Sequence, residues 1–396
     1  MAQARTALVI GGGIAGPVAA MALQKAGIEA TVFEAYDGAA DGAGGGLTVA
    51  SNGQFALDAI GAGDVVRGIG TPIAGIELRT WKGRTLGEFG TLPGLPANQF
   101  VWRSDLYRAL YDEAARRGIR IEHGKRLVGA EETGDAVTAV FADGTKAGAD
   151  VLIGADGIRS TVRSLIDPQA PGPRYTGLVS FGARVTGSGL APTGGRMLMT
   201  FGKRAFFGHV VFDDGTAVWF ANLPRQEPMT MAEARAVPAG AWREVLRDAF
   251  TGDRCPAVEL LDRTDPADLI ITGPSENMPA VPVWSRGRMV LIGDSAHAAS
   301  SSSGQGASLA AESAVELARC LRDLPHREAF ATYERLRRDR VEKVIAEANK
   351  TNASKAPGAV GRVVRDMLLP VVFKLSKPEK MAWQFNHRID WSSPVA

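Results

Sequence analysis

The run Ala7-Leu8-Val9-Ile10-Gly11-Gly12-Gly13-Ile14-Ala15-Gly16 decides how this chain folds. Its four consecutive apolar residues suit a strand buried on both faces. The glycines then fall at the spacing Gly11-x-Gly13-x-x-Gly16. The first serves a tight turn, the second a close approach of backbone to a pyrophosphate, and the third a close strand–helix contact. Residues 17–26 are small and apolar and read as a helix. Its start, at Ile14 and Ala15, would turn free N–H groups and a positive dipole end toward phosphates. Gly27 ends that helix and residues 29–33 form a second strand. Glu34 follows, with Ala35 beside it, at about the 20-residue remove where an acid meets ribose hydroxyls. Strand, loop, helix, strand and acid together predict a Rossmann-like dinucleotide site. On this unit alone NAD and FAD are both open.

Bulk properties narrow the class. The 396 residues suffice for two domains, or one with a satellite, and 45% are hydrophobic, enough for an ordinary core. Net charge is +2, from 45 basic and 43 acidic residues, a balance that argues against nucleic acid as a partner. Cys255 and Cys320 form no CxxC, so neither a disulfide framework nor a zinc site is expected. The first strand begins almost at Met1 and no apolar stretch reaches about 18 residues. A cytoplasmic protein without stable membrane insertion is the expectation.

Residues 38–46 are rich in glycine and alanine, and a loop whose backbone lies against a flat ligand is expected there, ending at Gly46 and Leu47. Residues 51–60 read as a helix, and 73–79 and 84–89 as strands. Residues 100–103 precede Ser104, a good N-cap for a helix over 105–117, which sets Arg103 just ahead of a helix start. Residues 127–132, headed by Leu127, and 136–141 alternate as strands, with Asp143-Gly144 as a hairpin turn. A second buried strand ends in Ala155-Asp156-Gly157. Between 177 and 271 long alternating strands carry many aromatic and methionine side chains, with a turn at Asp213-Asp214-Gly215. A third apolar strand, 288–292, runs into Gly293-Asp294. Gly304-Gln305-Gly306-Ala307 then opens a small-residue helix over 308–321, a second start able to meet an electron-rich ligand. Residues 328–349 alternate in charge and read as a solvated helix face. Further helix over 360–385 is expected to break at Pro370 and Pro378.

Three stretches in order, Gly11 to Gly16 with Glu34, Ala155-Asp156-Gly157, and Gly293-Asp294, resemble the class A flavoprotein monooxygenases, the para-hydroxybenzoate hydroxylase-like family. The resemblance covers nearly the whole chain. The stretch Trp219 to Pro224 and the tail look most like bacterial members acting on polycyclic or phenolic natural products, including tetracycline-modifying enzymes. The resemblance implies an α/β fold: a Rossmann-like FAD-binding domain (1–72, 99–176 and 275–330), a mixed β-sheet substrate domain (73–98 and 177–274) and a C-terminal helical segment (331–396). It implies FAD as resident cofactor, NADPH or NADH as transient reductant, and O2 and an aromatic or polycyclic small molecule as co-substrates, through a flavin C4a-hydroperoxide. Glu34 then holds the adenosine ribose, Arg103 the ribityl or phosphate portion, and Leu127 lies near the adenine. Asp156 touches both FAD and nicotinamide, and Asp294 the ribityl or pyrophosphate part. Gly304, Gln305, Gly306 and Ala307 offer N–H groups to the flavin N1/C2 edge, where negative charge collects on reduction.

Two departures stand out. The family usually has proline where Ser301 stands and arginine where Ala35 stands. Met199, Phe207, Trp219 and Ser301 are expected to face the substrate, by strand alternation and by resemblance. His297 reads as packing beside the Gly-Asp loop rather than as a base, and His209 as a weaker candidate base. No side chain is singled out as catalytic. A monomer or homodimer is expected. A flavin-dependent reductase or dehydrogenase of the same fold, or a non-catalytic FAD-binding regulator, are the alternatives.

Overall fold

The structure is a computed structural model describing residues 3–38, 44–355, 359–375 and 382–395. Part of the expected glycine-rich loop (39–43) and Pro378 lie outside the described residues.

Strand Thr6–Ile10 sits at the centre of a six-stranded sheet. It pairs in parallel with Glu29–Phe33 on one side and Val151–Gly154 on the other. Arg120–Glu122 and Met289–Leu291 extend the sheet in parallel, and Ser285–Arg286 closes one edge antiparallel. The three chemistry-bearing loops found in the sequence therefore leave the carboxyl ends of three neighbouring strands, as open parallel sheets arrange their ligand crevices. Helices Ala15–Lys25 and Gly306–Asp323 cover this sheet, and Val9, Val18, Met21, Leu152, Val290 and Val315 form a dry core between them.

A seven-stranded sheet makes the second layer, in the order Ile270–Asn277, Arg174–Val185, Ala217–Pro224, Phe206–Val211, Arg196–Phe201, Gly75–Thr80 and Thr85–Gly90. Strands Arg174–Val185 and Ile270–Asn277 pair from Arg174–Asn277 onward, so they run across the expected boundaries at 176/177 and 274/275. A small sheet of Gly46–Val49, Asn98–Trp102 and Thr71–Ile73 stands between the layers.

The faces of the large sheet are distinct, and they correct the sequence reading. Met199 pairs with Gly208 and Gly208 with Phe220, which puts those three positions on one face. Phe207 and Trp219 fall on the other, because side chains alternate along a strand. There they are covered by helices Ala239–Phe250 and Ala257–Arg263 in a second core with Phe181, Trp242, Leu246 and Phe250. Phe207 meets Phe250 edge-on at 5.3 Å, and Trp219 Nε1 donates to Thr264 Oγ1 at 3.1 Å. Neither residue faces the glycine loops. His209 shares their face; burial lowers its pKa to about 4, and it lines a separate cavity of about 320 Å³ with Glu77 and Arg79.

Three local readings also change. Helix Arg103–Arg116 begins two residues early with Trp102 as N-cap, and Ser104 lies inside it, its hydroxyl donating to Asp105. Pro370 lies within helix Ala359–Leu375 rather than ending it; Leu369 of that helix packs on Phe201 and Phe206. The 328–349 segment belongs to one helix, His326–Lys355, which is not solvated throughout: Arg337 is fully buried. Beyond it the chain returns to the first layer. Arg340 donates to the carbonyls of Trp383 and Gln384, Val395 N donates to Asp323, and Val395 enters the main core.

Trp219→Ala is expected to destabilise the protein by about 3–5 kcal/mol, the usual cost of emptying a packed aromatic site, while FAD and ligand affinities of the folded fraction stay within twofold. Denaturant unfolding and flavin absorbance titration check the two halves separately.

Candidate cofactor and substrate site

The first glycine loop is sterically specified. Gly11 has φ +105° and its amide donates to Phe33 O at 2.8 Å. A Cβ on Gly16 would come within 1.9 Å of Gly11 O, so helix and loop approach only because Gly16 has none. Glu34 closes the loop from the second strand. Its Oε2 accepts from Gly12 N at 2.6 Å and its Oε1 from Tyr36 N at 3.0 Å. Tyr111 stands over Gly12; burial first, and Glu34 second, push its phenol up. Ala35 is half-buried beside Glu34.

The other strand ends converge on the same place. A Cβ on Gly11 would strike the Ala155 carbonyl and Asp156 Cα, so the Asp-Gly turn abuts the fingerprint. Both Asp156 carboxylate oxygens are engaged by the chain itself, with Ser160 Oγ at 2.5 Å and Val162 N at 3.1 Å, bracing helix Thr161–Ile166. Gly293, with φ +60°, is wedged between the two covering helices: a Cβ there would meet Ala15 Cβ at 3.2 Å and Ala310 Cβ at 3.3 Å. This contact brings the start of helix Ala15–Lys25 beside the start of helix Gly306–Asp323.

Asp294 follows Gly293 directly, and Arg103 is close enough for its charge to act on Asp294. Arg103 Nε donates to Tyr107 OH at 2.8 Å, and Arg103 N donates to Gly45 O. Asp294 is exposed on this side, yet the protein around it raises its pKa, with Arg103 the charge opposing that rise. Gly46 is crossed by the Phe100 ring, and Leu47 is half-buried next to it. Leu127 is buried in the main core, which commits its side chain to packing.

Gly304 and Gly306 have open space where a Cβ would stand, and Gly13 has only Tyr107 OH at 3.8 Å. Ala307 is half-buried at that helix start, and Ser301 is exposed at the head of turn Ser301–Ser303. Three polar atoms here, Gln305 Nε2, Asn52 Oδ1 and Ser300 Oγ, are buried without a protein hydrogen-bond partner. Such groups are costly unless something completes them. Open glycine cradles, two adjacent helix N-termini and unsatisfied polar atoms fit an elongated anionic dinucleotide.

A buried charge network supports this end. Asn52 Nδ2 donates to Gln305 Oε1 at 2.9 Å and to Glu312 Oε1 at 2.6 Å. Glu312 takes a two-pronged contact from Arg340, at 2.8 and 2.9 Å, and pairs with Arg337 at 2.6 Å. Burial opposes ionisation of Glu312, but the two guanidiniums win and hold it down to about 2. His297, at the end of the short helix Asp294–His297, is buried against this helix; its Nε2 lies 2.9 Å from Ser313 Oγ, and burial lowers it to about 3. It is a packed neutral ring, as its sequence context predicts.

Tyr107, Tyr111, Asn52, Glu312, Arg337 and Arg340 are absent from the sequence reading. The tyrosines had a signal: they follow Arg103 at helical spacing. Glu312, an acid in a run of alanines and serines, had another.

With this geometry established, comparison with known proteins is direct. Residues 4–348 match the FAD binding domain family, and the chain belongs to it. It is a flavoprotein of the class A monooxygenase type. It is 30% identical over 350 residues to the aurachin C monooxygenase/isomerase of Stigmatella aurantiaca, covering 86% of this chain and 87% of that one. It is 32% identical over 358 residues to the FAD-dependent urate hydroxylase of Klebsiella pneumoniae, covering 87% and 88%. The crystal structure of Klebsiella pneumoniae HpxO with FAD and uric acid superposes with a TM-score of 0.83 at 26% identity, covering 96% of each chain.

Glu312→Gln is expected to cost about 3–5 kcal/mol, since it leaves two guanidiniums without their anion. The wild-type contribution is present above the ordinary glutamate value of 4.5 and is lost as pH falls toward about 2. Urea unfolding between pH 7 and pH 3 should therefore show a steep acid limb in the wild type and a flatter one in the variant.

Proposed function

We propose that the chain is a FAD- and NAD(P)H-dependent monooxygenase that adds one atom of O2 to an aromatic or polycyclic small molecule. The observation that carries this is the contact at Gly293, which holds two helix N-termini side by side, with Asp294 directly after it and Arg103 within electrostatic reach of Asp294. When bound, FAD supplies hydride acceptance from the nicotinamide and activation of O2. The residues do the rest. Amides at Gly13, Ile14, Ala15 and Gly16 hold the pyrophosphate and Glu34 the ribose. Arg103 and Asp294 grip the central portion. The positive end of helix Gly306–Asp323, with Gln305 and Ala307, would hold the charge-bearing edge of the ring and so favour the reduced form.

The substrate lies against the inner face of the large sheet, bounded by Met199, Phe206, Phe220 and the exposed Ser301. Apolar walls there exclude water from the reacting groups. The uric acid in the HpxO complex and the urate hydroxylase relative support a planar, heteroatom-bearing ring as the substrate class. The oxidant being O2, a reductant-only reading predicts turnover under argon, which this reading forbids.

Purified protein should be yellow with stoichiometric FAD, and Glu34→Ala should weaken FAD retention at least tenfold with the circular dichroism unchanged. With NADPH or NADH, air and a panel of phenols and hydroxylated heterocycles, mass spectrometry should find a product heavier by one oxygen. Substrate-dependent nicotinamide oxidation under argon beyond the one equivalent that reduces the bound FAD, or a product without added oxygen, overturns the reading.

A further inference from the structure

The last turn of helix His326–Lys355 touches two walls of the substrate region at once. Asn352 Oδ1 accepts from Ser302 Oγ in turn Ser301–Ser303. One turn further, Lys355 Nζ donates to Asn222 Oδ1 at 2.9 Å. Asn222 in turn donates to Ser180 Oγ at 2.9 Å, its cross-strand partner on the inner face of the large sheet. The Lys355 ammonium also lies 4.4 Å from the centre of the Phe206 ring. Phe206 neighbours Phe220, whose ring crosses Gly208 so closely that a Cβ there would come within 2.3 Å. Lys355 thus stands at one edge of an aromatic floor.

What Lys355 lacks is an anion. An ammonium carries three donors and is strongly hydrated in water. Here it has one neutral amide acceptor and one ring face, and among the described residues no carboxylate pairs with it. The charged groups nearby are engaged elsewhere. On helix Ala359–Leu375, Arg365 pairs with Asp366 at 2.7 Å and Arg362 donates to the Lys203 carbonyl. Asp253 accepts from Lys203 N, and on the helix of Lys355 itself Glu347 pairs with Lys350 at 2.8 Å. Turn Ser301–Ser303 brings only hydroxyls. A half-buried cation that no carboxylate of the described residues completes is an unfavourable arrangement unless a ligand brings the charge.

We infer that Lys355 is the recognition residue for an anionic aromatic substrate, whose ring lies against Phe206 and Phe220 and whose carboxylate or ring oxyanion sits on the Lys355 ammonium. This rests on the monooxygenase reading above and narrows it: the substrate is an acid rather than a neutral arene. Burial alone lowers Lys355 to about 8. The cation is therefore present through neutral pH and is lost above about 8, and anion affinity falls with it. Asn222 is a positioning residue, holding the ammonium through its amide oxygen.

The test uses the FAD-bound protein and reads ligand affinity from the change in flavin absorbance. The probes are paired: 4-hydroxybenzoate with its methyl ester, 6-hydroxynicotinate with its amide, and 1-hydroxy-2-naphthoate with its methyl ester. A phenol arm, 4-nitrophenol against 4-nitroanisole, separates ring oxyanion from carboxylate. At least one acid should bind tenfold or more tightly than its neutral partner. Lys355→Met should erase that preference, by tenfold or more, while FAD content and melting temperature hold. Lys355→Arg should restore it and remove the decline above pH 8. Equal binding of acid and neutral partner, an unchanged preference in Lys355→Met, or no response to any acid overturns the inference. Failure of the wild type to retain FAD would instead fail the monooxygenase reading.

Discussion

Everything in the first layer depends on how closely two helices can approach. Ala15 and Ala310 meet across Gly293, where a further methyl group would sit 3.2 and 3.3 Å from their Cβ atoms and press them apart. Small residues make that approach possible, and the approach sets two positive helix ends side by side at the carboxyl edge of a parallel sheet. Larger side chains at any of the three positions would separate the ends. The ligand cradle is thus a consequence of packing. The charged groups that decorate it, Glu34, Arg103 and Asp294, are placed by the same strands and helix starts.

The second dependence is electrostatic. The start of helix Gly306–Asp323 is steadied from below by Asn52 and Glu312, and Glu312 is steadied by Arg337 and Arg340 from a helix that follows it in the chain. A buried triad of this kind contributes little net stability compared with apolar packing, but it is costly to break. Its value here is geometric: it fixes Gln305, the residue before the second glycine-rich helix start, relative to the fingerprint half. The same long helix then supplies Lys355 to the opposite wall.

The parts legible in the sequence were those set by local chemistry. The first strand, its glycine spacing, the Asp143-Gly144 and Asp213-Asp214-Gly215 turns and the third strand before Gly293 all read correctly, because turns and buried parallel strands leave marks within a few residues. The faces of the large sheet did not. Both sides of strand Phe206–Val211 are buried, one against helices and the other in apolar clusters with Leu86, Phe201 and Phe100, so alternation had no exposed polar phase to anchor it. Phe207 and Trp219 were misassigned for that reason. Glu312, Arg337 and Lys355 were hidden for another: a charged residue in a helix reads as solvated unless its distant partner is known. Lys355 meets Asn222 from 133 residues away.

The return of residues 383–395 to the first layer has a bearing on biogenesis. The first layer takes contacts from Trp383, Gln384 and Val395 as well as from strand Thr6–Ile10, and strands Gly75–Thr80 and Thr85–Gly90 of the large sheet are separated from Arg174–Val185 by elements of that same layer. During synthesis neither sheet can be completed early: the large one waits for Ile270–Asn277 and the six-stranded one for Met289–Leu291, so both depend on pairings far apart in sequence.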